Sequence, residues 1–149
     1  MTLLPNKQRT ISLFLFLFFS FTKAYTQNVD ILFSGIRSVK GQIIVKVYVD
    51  EKGFDDDKPV RVMKFPKRAI ANGEMREKAI LEPGSYGFAL LDDENNNGVM
   101  EYSFLRMPKE GFGFSNFYLT GMKKPRFGQF VFTLPKDQKV NIGMKIRYL

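Results

Sequence analysis

Ile43-Ile44-Val45-Lys46-Val47-Tyr48-Val49 puts Ile43, Val45, Val47 and Val49 on one side of an extended chain and Ile44, Lys46 and Tyr48 on the other. A two-residue period with one side wholly β-branched marks a strand whose branched side faces a core. The same pattern recurs outward in both directions. Upstream, Val29, Ile31 and Phe33 alternate with Asp30, Leu32 and Ser34 before Gly35 ends the run. Downstream, Val60 to Phe65 alternates up to Pro66, which stops a strand or confines it to an edge. Met75 to Leu81 and Ser85 to Leu91 read as strands separated by the Glu82-Pro83-Gly84 turn, with Tyr86, Phe88 and Leu90 on one face. Gln129 to Leu134 and Val140 to Tyr148 complete the set.

The connections are polar. Asp50 to Pro59 reads as a loop, and its three consecutive aspartates, Asp55 to Asp57, are not spaced to wrap an ion. A short helix competes only at Ala69 to Lys78, where Asn72-Gly73 favours a turn. Roughly seven to nine short strands without a convincing helix predict an all-β fold, an antiparallel β-sandwich of transthyretin-like or immunoglobulin-like kind.

Composition agrees with one folded domain. The 149 residues are 44% hydrophobic and 26% charged, with 16 Phe and no Trp, so Phe must build much of the core. Residues 1–24 read as a secretory signal peptide, with Lys7 and Arg9 ahead of the apolar run Ile11 to Phe21. That run is shorter than the roughly 20 residues a membrane-spanning helix needs. An uncleaved N-terminal anchor is the other reading, and cleavage fits after Ala24 or after Thr26. The sandwich domain then occupies 25–149, is periplasmic or secreted, and carries no transmembrane segment. Without Lys7, Arg9 and Lys23, 20 basic residues face 15 acidic ones, an excess of about +5. An excess so small and so dispersed argues for solubility rather than nucleic-acid binding. The absence of Cys removes disulfides, thiol metal sites and lipid attachment from the options.

One stretch carries site chemistry, Asp92-Asp93-Glu94-Asn95-Asn96-Asn97-Gly98-Val99-Met100-Glu101. Counted from Asp93, oxygen-bearing side chains fall at every second residue, followed by Gly98 and Glu101. Asp93, Asn95, Asn97, the backbone oxygen of Val99, and Glu101 form a candidate Ca²⁺ ligand set of structural kind, with Asp92 and Glu110 as additional candidates. An EF-hand is excluded, because its bidentate Glu would fall on Phe104 and its flanks here are strands. The same Asn-Asn-Asn-Gly run also serves as an ordinary turn, since Asx side chains bond their own backbone and tolerate positive φ. Both readings stand on the sequence.

Phe112, Phe114, Ser115 and Asn116 form a candidate ligand surface, with core packing the competing fate of the two Phe residues. Gly and Phe alternate there, so the backbone must approach something closely. Catalysis is not expected, because a chain without His or Cys lacks the usual base and thiol nucleophile. The alternative is a carbohydrate-processing enzyme pairing Glu101 with Glu110, which requires two carboxylates facing each other across an open pocket.

Three segments in order, Leu81 to Tyr86, Asp92 to Gly98 and Met107 to Asn116, closely resemble the bacterial "domain of unknown function 2141" family. That family's pattern is a Pro-Gly-x-Tyr turn, an Asp-Glu-Asn-x-Asn-Gly loop and a Pro-Lys-Glu-Gly-x-Gly-Phe-Ser-Asn segment. Glu101 departs from it, standing where Asp is common. The resemblance implies an exported bacterial β-sandwich without an assigned biochemical role. The Pro83-Gly84-Ser85-Tyr86 turn is also similar to one in transthyretin-like sandwiches, where the Tyr hydroxyl pins the corner. The overall expectation is a non-catalytic module that binds a protein or glycan partner at the cell envelope. A purely structural envelope component is a third reading.

Overall fold

The computed structural model describes residues 28–149, so the signal-peptide reading of residues 1–24 lies outside the described residues. Eight strands form two sheets: β1 (Val29–Ser34), β2 (Gln42–Tyr48), β3 (Arg61–Pro66), β4 (Glu74–Ala79), β5 (Gly84–Asp93), β6 (Gly111–Phe114), β7 (Val131–Leu134) and β8 (Val140–Lys145). One sheet runs β4-β1-β8. The other runs β3-β2-β5-β6, with β7 also on β5. The expected sandwich is therefore present, with one exception to its antiparallel character: β8 lies parallel to β1, Val140 opposite Val29.

The alternation read in the sequence is the alternation that packs. Val29, Ile31 and Phe33, with Ile142 and Met144 beside them on β8, face Ile43, Val45, Val47, Phe88 and Leu90 in one buried cluster between the sheets. Val49 falls just past the end of β2 and is exposed. Asn72 and Gly73 both have positive φ, 51° and 72°, and form a two-residue turn between Ala71 and Glu74. The Tyr86 hydroxyl donates to the Glu82 carbonyl at 2.9 Å, pinning the corner as the resemblance implied.

The outer face of the five-stranded sheet is also covered, and here the expectation of a plain polar loop at Asp50 to Pro59 fails. Glu51–Asp55 is a short helix, α1, whose N-cap Asp50 accepts the Gly53 N–H at 2.7 Å. It forms because Phe54 has an aromatic floor to bury against. Phe54 meets Tyr48, Phe114 and Phe130 edge-on at centroid distances of 5.3, 6.2 and 4.9 Å. Phe127 joins this second buried cluster. The three aspartates are tied to cations: Asp55 to Lys124, Asp56 to Lys52, and Asp57 to Lys46.

β5 is long enough to carry two partners on one edge. Its first half pairs with β7 and its second half, Ala89 to Asp92, with β6. The far edge of β6 meets the chain just beyond β8: Phe112 and Arg147 exchange both backbone hydrogen bonds, at 3.0 and 2.8 Å. This contact explains the Gly-Phe alternation. A Cβ on Gly113 would stand 2.8 Å from the Lys145 carbonyl oxygen, and one on Gly111 would stand 2.4 Å from the Tyr148 ring. The glycines admit the β8 extension, while Phe112 and Phe114 belong to the aromatic cluster of the outer face.

Candidate functional site

Asp92 and Asp93 are neighbours on a strand, so their side chains leave on opposite faces. Both are fully buried. Asp92 makes an ion pair with Lys67 and accepts the Tyr148 hydroxyl at 2.5 Å. Its carboxylate is thus committed on the face away from the acidic loop. Asp93 organises the loop itself. Its Oδ1 accepts the Asn97 N–H at 3.0 Å, and its Oδ2 accepts the Gly98 N–H at 3.0 Å and the Gln42 side-chain amide at 2.7 Å.

The next two oxygen-bearing side chains repeat the device. Asn95 Oδ1 accepts the Asn97 N–H and Asn97 Oδ1 accepts the Val99 N–H, both at 2.9 Å. Asn96 and Gly98 take positive φ, 60° and 80°. The turn reading of this stretch is therefore realised. It leaves the oxygens oriented, each of Asp93 Oδ1, Asn95 Oδ1 and Asn97 Oδ1 holding a lone pair beyond its one backbone bond. Glu101 Oε2 accepts from the Asn95 amide at 3.1 Å.

Glu110 stands apart from all of these. It is 5% exposed, and neither carboxylate oxygen has a hydrogen-bond partner. Burial pushes its pKa up, and the charges of Asp93 and Glu101 push the same way, while the backbone at Glu101 and Glu94 works against them. A buried carboxylate without a partner is among the least favourable arrangements a folded chain can hold. Among the described residues no group of three Asp or Glu side chains stands together as a metal-holding cluster. An ion here would lean on amide and backbone oxygens as well as on carboxylates.

A second feature lies on the outer face of the five-stranded sheet. A cleft of about 660 Å³ is lined by Tyr48, Phe54, Ala89, Leu91, Phe112 and Phe114, and by the segments around Val99 to Pro108 and Leu119 to Pro125. Lys46, Arg106 and Lys124 bring positive charge to it, and Asp57 is the single acidic side chain in its lining. Asp57 accepts from Lys46 Nζ at 2.7 Å and from the Tyr48 hydroxyl at 2.6 Å. Burial would raise the Asp57 pKa, but these two donors outweigh it and hold the group below the ordinary carboxylate value. Burial and the same hydrogen bond push the Tyr48 phenol well up. Lys124 lies over the Phe54 ring, 4.0 Å from its centroid.

Residues 31–142 match a family described as "Uncharacterized protein conserved in bacteria (DUF2141)". The chain belongs to this family. No curated protein and no solved structure matches it. The DUF2141 match runs from β1 into β8 and so takes in the acidic loop, Glu110 and the floor of the cleft.

Within this DUF2141 chain the candidate ligand surface divides. Phe112 and Phe114 line the cleft. Ser115 cannot present itself to a ligand: it is fully buried, accepting the Phe88 N–H at 2.9 Å and donating to the Phe130 carbonyl at 2.5 Å. Asn116 is exposed, but its side-chain oxygen accepts the Gly143 N–H at 2.9 Å, which ties the segment to β8. Both residues hold the strand end in place. The cleft's other walls were missed in the sequence, because Val99, Tyr102, Met107 and Met122 lie in irregular segments with no period to mark a shared surface.

Proposed function

We propose that this protein is an exported, non-catalytic β-sandwich module that holds a ligand with an apolar body and an anionic end in the outer-face cleft. The observation that carries this reading is the cleft's lining, in which Phe, Met and Leu side chains predominate and Arg106 stands as a cation besides Lys46 and Lys124, which are paired with Asp57 and Asp55. Sites for small molecules are typically concave and mainly apolar, with a few placed polar groups. Such a lining favours an amphipathic molecule over a glycan, which would need more hydrogen-bonding groups along its length. The export part of the reading rests on the composition of residues 1–24. No helix among the described residues is long and apolar enough to cross a membrane.

The non-catalytic part is supported by the placement of the carboxylates. The carbohydrate-processing alternative needs Glu101 and Glu110 across an open pocket, and neither lines the cleft. Asp57, the acidic side chain that does, is occupied by Lys46 and Tyr48 and held ionised.

The test uses two probes, the anionic dye anilinonaphthalene sulfonate and dodecanoate. Saturable dye fluorescence with the native protein, displaced by dodecanoate, is expected. Ala89→Trp, which fills the floor, abolishes it, and Met122→Glu at the exposed rim weakens it by repelling the anion. Absence of binding by either probe, or binding unchanged in both variants, overturns the reading.

A further inference from the structure

The acidic loop follows the first half of a helical Ca²⁺-binding loop: oxygens at the first, third and fifth positions, Gly at the sixth and a backbone carbonyl at the seventh. What it lacks in sequence is the bidentate carboxylate at the twelfth position, which here is Phe104, a side chain standing in solvent. The fold makes good the loss from elsewhere. After Glu101 the chain leaves on an excursion and returns. The Lys109 N–H donates to the Glu101 carbonyl at 2.9 Å, Tyr102 bridges to Pro108, and the Ser103–Met107 turn closes the tip. The next residue after this return is Glu110.

Glu110 therefore arrives beside Glu101 with a carboxylate that is buried, unpartnered at both oxygens, and close enough to feel the charges of Asp93 and Glu101. Asp92, the other additional candidate, is already occupied by Lys67 and Tyr148. We propose that Glu110 and the Asp93–Glu101 loop together form a Ca²⁺ site, with Glu110 supplying the bidentate carboxylate. The ligand set is Asp93, Asn95 and Asn97 through side-chain oxygens, Val99 through its carbonyl, and both oxygens of Glu110, with Glu101 reached through water. That gives about six or seven oxygens, within the range Ca²⁺ takes. The all-oxygen set and the irregular loop disfavour Zn²⁺, which prefers nitrogen and sulfur, and Mg²⁺, which demands near-ideal octahedral geometry.

Thermal unfolding of the full folded domain tests the site, with Ca²⁺ alone, Mg²⁺ alone and chelator. Millimolar Ca²⁺ is expected to raise the Tm by roughly 5 °C or more over chelator, and Mg²⁺ to do little. Glu110→Gln keeps the shape and removes the charge, so it folds without metal at least as stably and loses the Ca²⁺ shift. Asn95→Ala, at an exposed position that leaves the core untouched, reduces the shift. No Ca²⁺ shift in the native protein, or a full shift retained in Glu110→Gln or in Asn95→Ala, overturns the proposal. The site is independent of the cleft reading, which is read by dye displacement, so either can fail alone.

Discussion

Lys67 and Asp92 form an ion pair whose two side chains are both wholly enclosed. Lys67 also donates to the Ser38 carbonyl at 2.9 Å, and Asp92 also accepts from Tyr148. Arg37 lies over the Tyr148 ring, 4.1 Å from its centroid, and forks onto Glu94 at 3.0 and 2.8 Å. One end of the sandwich is thus closed by a linked set of charges where an apolar plug would otherwise sit.

Removing one partner of such a pair leaves the other charged and dry. Lys67→Met should destabilise the protein by about 3–5 kcal/mol. The double variant Lys67→Met with Asp92→Leu removes both charges and should recover most of that loss. Urea unfolding of the three proteins measures it, and a double variant no better than the single one would contradict the argument.

Stability should depend on pH in two opposing windows. The Glu110 pKa is raised above its ordinary value of 4.5, so the folded state binds that proton more tightly than the unfolded chain does. The resulting stabilisation is full below 4.5 and is lost as pH rises through the elevated folded value. Glu94, held down by its bond to Arg37, and Asp57, held down by Lys46 and Tyr48 against burial, act the other way. Their contribution is present above their ordinary values of 4.5 and 3.8 and is lost as pH falls through the lowered ones. In chelator, the Tm should therefore rise as pH is lowered from neutrality toward about 5, then fall at more acid pH. Asp92, raised chiefly by burial, acts in the same sense as Glu110, so Glu110→Gln should reduce the rise without removing it and leave the acid fall intact, as pH-scanned calorimetry can check.

Ser115 offers a test of the structural role of the Phe-Gly segment. Its hydroxyl bridges the Phe88 N–H and the Phe130 carbonyl in a fully buried position. Ser115→Ala strands both backbone groups and should cost about 1–3 kcal/mol. Chemical denaturation reads the loss. Dye binding in the cleft should survive it, because the hydroxyl faces the backbone and not the cavity.

Strands were legible in the sequence wherever one face was uniformly apolar. β1 and β2 carry Val29-Ile31-Phe33 and Ile43-Val45-Val47 with no competing period, and these are the residues that pack. The Tyr86 corner and the Asn72-Gly73 turn were equally readable, since local chemistry decides both. α1 was not, because five residues with Gly53 at their centre have little helix propensity of their own. Its helix depends on Phe54 finding Tyr48, Phe114 and Phe130, contacts that exist only after the sheet forms. The acidic loop was recognisable from its spacing. The burial of Glu110 was not, because Lys109-Glu110 reads like any surface pair until the excursion folds back. Nor could sequence spacing link Lys67 to Asp92, which meet only through the sheet.

The parallel pairing of β1 with β8 has a consequence for when this chain can fold. Val29 meets Val140, so the central strand of the smaller sheet waits for a partner made more than a hundred residues later. Contacts of that separation carry a large loop-closure cost and slow the search for the native state. A partly synthesised chain has β1 without β8 and Phe112 without Arg147, and two strand edges stay open until residues 140–147 arrive. Completion is thus deferred until β8 has been made, and the interval before it is when the molecule is most exposed to proteases and to mispairing with its own copies.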